Sequence, residues 1–340
     1  MSEPAVLVFA YHDVGYVCLE ELIRRGARIV ALITHEDDPN ENRWFRSVAE
    51  LAAKHGIPVY KPDSVNNEEW VTRIRVLRPD VIFSFYYRHL IPETILKLPR
   101  LGAFNLHGSL LPKYRGRVPI NWAIIHGETQ TGATLHYMVA KPDAGDIVDQ
   151  EAVPIGPMET AREVFDKVAA AGRQIVARQW DHIKSGKAPR IPQDPAQASY
   201  YGGRKPEDGR IDWRLGAREI FNLVRAVTHP YPGAFTELNG RRLFMWWALP
   251  RREAADAPNL VTGRTSEASR ASEPARGPRL YPIGESGGEP PGAVVATAPL
   301  RIATGQGSLE VLRLQWADGE EQDAATAGLK LGQVLGAPPK

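Results

Sequence analysis

The chain has one cysteine, Cys18, in 340 residues. That excludes an intramolecular disulfide framework and argues against a cysteine-based zinc site. No apolar run approaches the ~20 residues a membrane helix needs, so no membrane partner is expected. The start, Met1-Ser2-Glu3-Pro4, has neither the basic nor the apolar region of a secretory signal, and a cytoplasmic location is expected. A net charge of +2 is too small for a broad phosphate track, which argues against a nucleic-acid partner. Glycine-rich phosphate loops are missing as well. The first turn after an apolar run reads Tyr11-His12-Asp13-Val14-Gly15, not Gly-x-Gly-x-x-Gly, and there is no Walker-A pattern. Asp146 and Asp149 lack the glycine and distal glutamate of a calcium loop, so no metal is expected.

What is present is ordinary for a globular chain: 43% hydrophobic and 24% charged residues, enough for two domains. Apolar runs of buried-strand type (Ala5–Ala10, Ala27–Ile33, Asp80–Phe85, Ala103–His107) alternate with amphipathic helical stretches. One helix is expected to start at Asp13 as N-cap and stop at Gly26; a long one runs from Thr160 to Ile183. Thr131–Tyr137 and Ile147–Val153 read as further strands. The fold class is α/β, a Rossmann-like, mostly parallel, doubly wound sheet over residues 1–203. After Gly203 short strand patterns dominate, predicting a smaller open β-barrel of OB-like type over 204–340. Residues 251–291, rich in Ala, Ser, Pro, Gly, Arg and Glu, read as a flexible insertion between two strands.

The segment Asn105-Leu106-His107-Gly108-Ser109-Leu110-Leu111-Pro112 carries the chemistry. Alternation along a strand puts Asn105 and His107 on one face, at the carboxyl end where open α/β sheets bind ligands. Downstream, Lys141-Pro142-Asp143-Ala144-Gly145-Asp146 is first a turn, yet Asp143 is a carboxylate that can join the pair. Lys113-Tyr114-Arg115-Gly116-Arg117 is a short basic loop, either a solvated turn or an anion clamp. Phe85-Tyr86-Tyr87-Arg88-His89-Leu90-Ile91 ends another strand and can wall a slot for a flat heterocycle. His126 and His136 read as surface or packing residues outside the cluster.

Asn105-x-His107-x-Ser109-Leu110-Leu111-Pro112, then Tyr114-Arg115-Gly116, then Asp143-x-Gly145, together resemble the active-site signature of the folate-dependent formyltransferases. The resemblance extends over nearly the whole chain, through Phe9–Asp13, Phe83–Ile91, Arg225-Ala226-Val227, Pro232–Phe235 and Leu329–Gly336; the 251–291 insertion has no counterpart. It implies an N-formyltransferase with 10-formyltetrahydrofolate as formyl donor and no metal. Asn105, His107 and Asp143 would be catalytic. His89, Leu90, Ile91, Arg117, Val139, Ala140, Lys141, Pro142 and Asp143 would contact the folate. Tyr87, Ser109, Lys113, Arg115 and Arg204 are candidates for contacts to a nucleotide-sugar partner. Within the family the likeness is strongest to enzymes that formylate the 4-amine of UDP-4-amino-4-deoxy-L-arabinose, which implies lipid A modification and cationic-peptide resistance. Formylation of another nucleotide-linked amino sugar, formylation of methionyl-tRNA and a non-catalytic folate-sensing role are the alternatives. The oligomeric state is open.

Overall fold

The computed structural model describes residues 3–39, 42–251 and 288–336. Nearly all of the 251–291 insertion lies outside the described residues. The chain divides into two compact units, Met1–Ile124 with Glu128–Arg204, and Ile125–Gly127 with Lys205–Lys340.

In the first unit strands and helices alternate: β1 (Ala5–Ala10), α1 (His12–Arg24), β2 (Arg28–Ile33), α2 (Val48–Lys54), β3 (Val59–Tyr60), α3 (Glu68–Leu77), β4 (Val81–Phe85), α4 (Glu93–Leu96), β5 (Gly102–His107), β6 (Arg115–Gly116), α5 (Pro119–Ile125), β7 (Gln130–Tyr137), β8 (Ile147–Pro154), α6 (Ala161–Lys184) and β9 (Tyr200–Tyr201). The main sheet has the order β3-β2-β1-β4-β5-β7-β8. Its first five strands are parallel, and β7 pairs antiparallel to both β5 and β8. The chain leaves β1 toward β2 and β3, then crosses back to β4, so the strand order reverses beside β1. Such reversals open a crevice at the carboxyl ends of strands.

Each face of this sheet has a core. Leu7, Phe9, Ala31, Ile33, Ile82 and Ala103 form one apolar cluster with Val65, Ile74 and Ile95. On the other face α1 and α6 lie close. Gly172 of α6 approaches Leu106 so nearly that a Cβ there would meet its Cδ2 at 2.4 Å. The long helix begins where its sequence predicts, with Thr160 and Glu163 forming a reciprocal capping box. The start of α1 differs by one role. Tyr11 is its N-cap and Asp13 lies in its first turn, where the carboxylate accepts from Arg46 N and Nε.

The second unit holds α7 (Ala217–Val227) and an antiparallel sheet of β10 (Ala234–Leu238), β11 (Arg241–Arg251), β12 (Val294–Thr297), β13 (Leu300–Ala303), β14 (Ser308–Trp316) and β15 (Glu321–Asp323). The order is β10-β11-β14-β13-β12, with β15 sharing an edge of β14. Among the described residues no strand pairing joins β10 to β12, so the sheet stays open. Its formal charge is balanced: residues 205–251 and 288–336 hold eleven Lys and Arg and eleven Asp and Glu. Arg210, Arg241, Arg251 and Arg313 are each paired, with Glu237, Asp318, Glu310 and Glu321.

Candidate active site

One row of side chains crosses the sheet on the face of the apolar cluster. It runs Ile33, Phe9, Ser84, Asn105, His136, each directly opposite the next. The row is apolar at its first two positions and polar at its last three. Asn105 and His107 share this face because a single residue, Leu106, lies between them along β5. Two loops close over them. The first, 108–117, is fixed by β6 pairing with β9 and by Thr134, whose hydroxyl donates to Ser109 O (2.6 Å) and accepts from Leu111 N (3.1 Å). The second, 138–146, returns from β7 and brings Asp143 over the histidines.

His107 is buried, at 6% exposure. Its Nε2 lies 2.7 Å from the Tyr114 carbonyl oxygen. A carbonyl only accepts, so Nε2 holds the proton of the neutral ring. Nδ1 then carries the lone pair, and it faces Asp143 Oδ1 at 3.5 Å. A lone pair facing a carboxylate is relieved when Nδ1 takes a proton. The neutral ring is therefore set to act as a base. Burial pushes the His107 pKa below its ordinary value, against the upward pull of Asp143 and the Tyr114 carbonyl; His136 and Arg115 add to the lowering. The imidazole is thus neutral at pH 7.

Asp143 adopts a left-handed backbone, φ 56°, a conformation in which Asp is tolerated better than most residues. Its Oδ2 accepts from Gly116 N at 2.9 Å. Oδ1 is 3.5 Å from both His107 Nδ1 and His136 Nε2. Burial works against this carboxylate, but the Gly116 N–H and the charge of either imidazole when protonated outweigh it and hold the carboxyl well below the usual range. Gly145 completes the turn, since a Cβ there would lie 1.9 Å from Tyr137 O.

His136 corrects the sequence reading, which set it outside the cluster. It is 1% exposed and stands directly opposite Asn105. Its Nδ1 donates to Tyr137 O at 2.9 Å, so in the neutral ring Nε2 is an acceptor. Asn105 Nδ2 lies 3.1 Å from that Nε2. The contact aims the amide nitrogen of Asn105 and occupies one N–H, leaving the other for a ligand. Only strand pairing reveals this neighbour; thirty-one residues separate the two in sequence.

The remaining expected residues fall into two groups. His89, Leu90, Arg117, Val139, Ala140, Lys141 and Pro142 are exposed on loops, with Leu90 at 70% and Val139 at 45%. Ile91 and Tyr87 pack against the apolar cluster on the Asn105 face, as does Met138, which the sequence did not single out. The Tyr87 ring stacks on His35, which accepts from Arg88 N at 3.0 Å. The nucleotide-sugar candidates are more dispersed. The Ser109 hydroxyl is spent inside its own turn, donating to Lys113 O at 2.7 Å. Arg115 is 4% exposed and bound to Gln193 and Tyr200. Lys113 is exposed, and Arg204 lies over the Trp122 ring. Among the described residues no group of three His, Cys, Asp or Glu is arranged to hold a metal ion.

A proton-accepting imidazole, an amide donor and an ionised carboxylate thus meet at one strand end. Such a set serves acyl transfer, in which an oxyanion forms and a proton must leave the nucleophile. Comparison with known proteins assigns the family. The formyl transferase model matches residues 5–179, and the model of the formyl transferase C-terminal domain matches residues 204–328. The chain belongs to the formyl transferase family. Its fold is similar to that of the sugar 3N-formyl transferase WlaRD, whose structure was determined with dTDP and 5-N-formyl-THF (TM-score 0.61, 18% identity, covering 94% of this chain and 100% of that one). It is also similar to HypX from Aquifex aeolicus in complex with tetrahydrofolic acid (TM-score 0.58, 16% identity, 95% of this chain); this chain spans 46% of that protein. A third likeness is to a 4-N formyltransferase from Francisella tularensis (TM-score 0.55, 22% identity, 67% of this chain and 89% of that one).

Proposed function

We propose that this protein transfers the formyl group of 10-formyltetrahydrofolate to the amine of a nucleotide-linked amino sugar, with UDP-4-amino-4-deoxy-L-arabinose as acceptor. The observation that carries the reading is the convergence of Asn105, the lone pair of His107 and the Asp143 carboxylate. The neutral amine attacks the formyl carbon, and its C–N bond forms as the carbonyl electrons move to oxygen. The free N–H of Asn105 donates to that oxyanion. His107 Nδ1 takes the proton of the attacking nitrogen and becomes an imidazolium between Asp143 and the Tyr114 carbonyl. Collapse breaks the bond from carbon to N10 of the folate, which takes the proton from His107. The products are a formamide and tetrahydrofolate, and His107 is neutral again.

Support for the folate comes from the exposed apolar side chains of Leu90 and Val139, on the loops that follow β4 and β7, and from the structures with folate ligands that share the fold. Support for a sugar nucleotide over a tRNA comes from the charge balance of the described part of the second unit, eleven basic against eleven acidic residues, which offers no net positive field for a phosphate track. The lipid A context and a cytoplasmic site of action follow from the chosen acceptor.

The test is a panel of acceptors at equal concentration with 10-formyltetrahydrofolate, read by mass spectrometry. Formylation of the UDP-linked 4-amino sugar, and none of its 4-hydroxy analogue, is expected. Formylation of charged initiator tRNA alone would move the protein to translation initiation. A preference for a dTDP-linked amino sugar would keep the chemistry and change the acceptor.

A further inference from the structure

The loop that presents Asp143 is held from outside by a side chain fifty residues away. Gln193 follows α6 in an irregular segment with no part in the sequence signature. Its Nε2 donates to two carbonyls of the turn, Asp143 O at 2.9 Å and Gly145 O at 2.7 Å. Its Oε1 accepts from Arg115 Nη2 at 2.6 Å and Nε at 3.2 Å. The amide orientation is unambiguous, because a guanidinium only donates and a carbonyl only accepts. Every hydrogen-bonding position of the nitrogen is used. Arg115 has no carboxylate partner among the described residues, so the amide oxygen and the Tyr200 hydroxyl are what satisfy a buried cation.

We propose that Gln193 is the positioning residue that sets Asp143 against His107. The inference rests on His107 being the base, as proposed above. The turn has reason to drift without a clamp. Asp143 sits in a left-handed conformation, and the Gly116 N–H holds its carboxylate but not the backbone carbonyls on either side of the turn. Movement of Asp143 by about 1 Å weakens its pull on the His107 proton, and misplacements of that size cost up to about 100-fold in turnover.

The test uses two variants. Gln193→Glu keeps an acceptor for Arg115 and loses both donors to the turn. Gln193→Met keeps the length of the side chain and loses all four bonds without adding charge. Each is measured for kcat and folate KM across pH, for thermal unfolding, and for the titration of His107 by NMR in the unliganded protein. The groups facing His107 are Asp143, His136, Arg115 and the Tyr114 carbonyl; none of them is replaced, and Gln193→Glu keeps the acceptor for Arg115 that Gln193→Met removes. We expect kcat to fall about 10- to 100-fold in both variants. In Gln193→Met the acid limb of the kcat profile and the His107 titration both move to lower pH, because Asp143 no longer supports the imidazolium. A role in folding alone would lower the melting temperature and leave the titration in place. Unchanged kcat and unchanged titration, with His107→Ala inactive, would overturn the role of Gln193 and spare the mechanism. Full activity of His107→Ala would remove the reading on which it rests.

Discussion

Replacing Asp143 by Asn isolates the charge that the site depends on. The substitution is nearly isosteric. Asn tolerates the left-handed backbone as Asp does, and its Oδ1 can still accept from Gly116 N–H. What it removes is one negative charge 3.5 Å from His107 Nδ1. At an effective dielectric of about 20, two unit charges at that distance interact by about 5 kcal/mol. Residual water and the other groups around the ring reduce this, so about 2–5 kcal/mol is the expected loss for the imidazolium form. At about 1.4 kcal/mol per decade, turnover falls roughly 30-fold to several thousand-fold. The direction with pH is also set. Burial already holds the His107 pKa low, and losing Asp143 lowers it further. The acid limb of kcat therefore moves to lower pH while the plateau drops, since the base is available earlier but weaker. Steady-state rates from pH 5 to 9, with folate affinity and thermal unfolding measured in parallel, decide the matter. A folded Asp143→Asn enzyme within about threefold of the parent, with an unmoved acid limb, would refute the electrostatic reasoning.

Removal of the amide in Asn105→Ala should lower kcat by about 10²–10³-fold with little change in folate affinity, as for other oxyanion donors; a large rise in folate KM at intact kcat would assign it to ground-state binding instead. His136→Phe keeps an aromatic ring and frees the Asn105 amide, so kcat should drop about 10-fold, and the lost buried hydrogen bonds should cost about 1–3 kcal/mol by denaturant melts. Unchanged kcat there would reduce His136 to packing. Gly145→Ala forces a Cβ into Tyr137 O at 1.9 Å and should disrupt the Asp143 turn, lowering both melting temperature and activity; a normal enzyme would show that the turn yields without consequence. Acid should destabilise the protein before its carboxylates titrate. Burial lowers His12 to about 3 and His35 to about 4, so from pH ~6.5 downward the unfolded chain takes up protons that the folded one refuses. Stability is full above that range and lost as pH falls, by about 3–5 kcal/mol at pH 4 for the two together once the half-buried His35 is discounted for solvent screening. A melting temperature constant from pH 7 to 4.5 would contradict this.

The strands and helices that place the site were legible because their periodicities are long and clean. The capping box at Thr160 and the apolar runs of β1, β4 and β5 are local signals, and they fall where the sequence places them. Asn105 and His107 were legible as a pair because alternation along one strand is local too. His136 was not. Its place in the cluster depends on β7 pairing antiparallel with β5 in a register that no local pattern encodes. Gln193 was hidden for the same reason, since it reaches the Asp143 turn from an irregular segment. The two-residue strands β6 and β9 are too short for alternation to register, yet they hold the loop that supplies the Tyr114 carbonyl. Ser109 and Arg115 looked available for a substrate in sequence; burial and internal hydrogen bonds, which sequence does not display, engage both.

In the proposed reaction His107, supported by Asp143 and faced by Asn105, moves the proton that lets an amine take a formyl group. This role is tested most directly by following formyl transfer from 10-formyltetrahydrofolate to UDP-4-amino-4-deoxy-L-arabinose with the parent protein and with His107→Ala, each confirmed folded by its melting curve. Formamide product is expected from the parent, with a loss of about 10²–10⁴-fold in the variant and folate still bound. Equal rates in the two proteins would contradict that role.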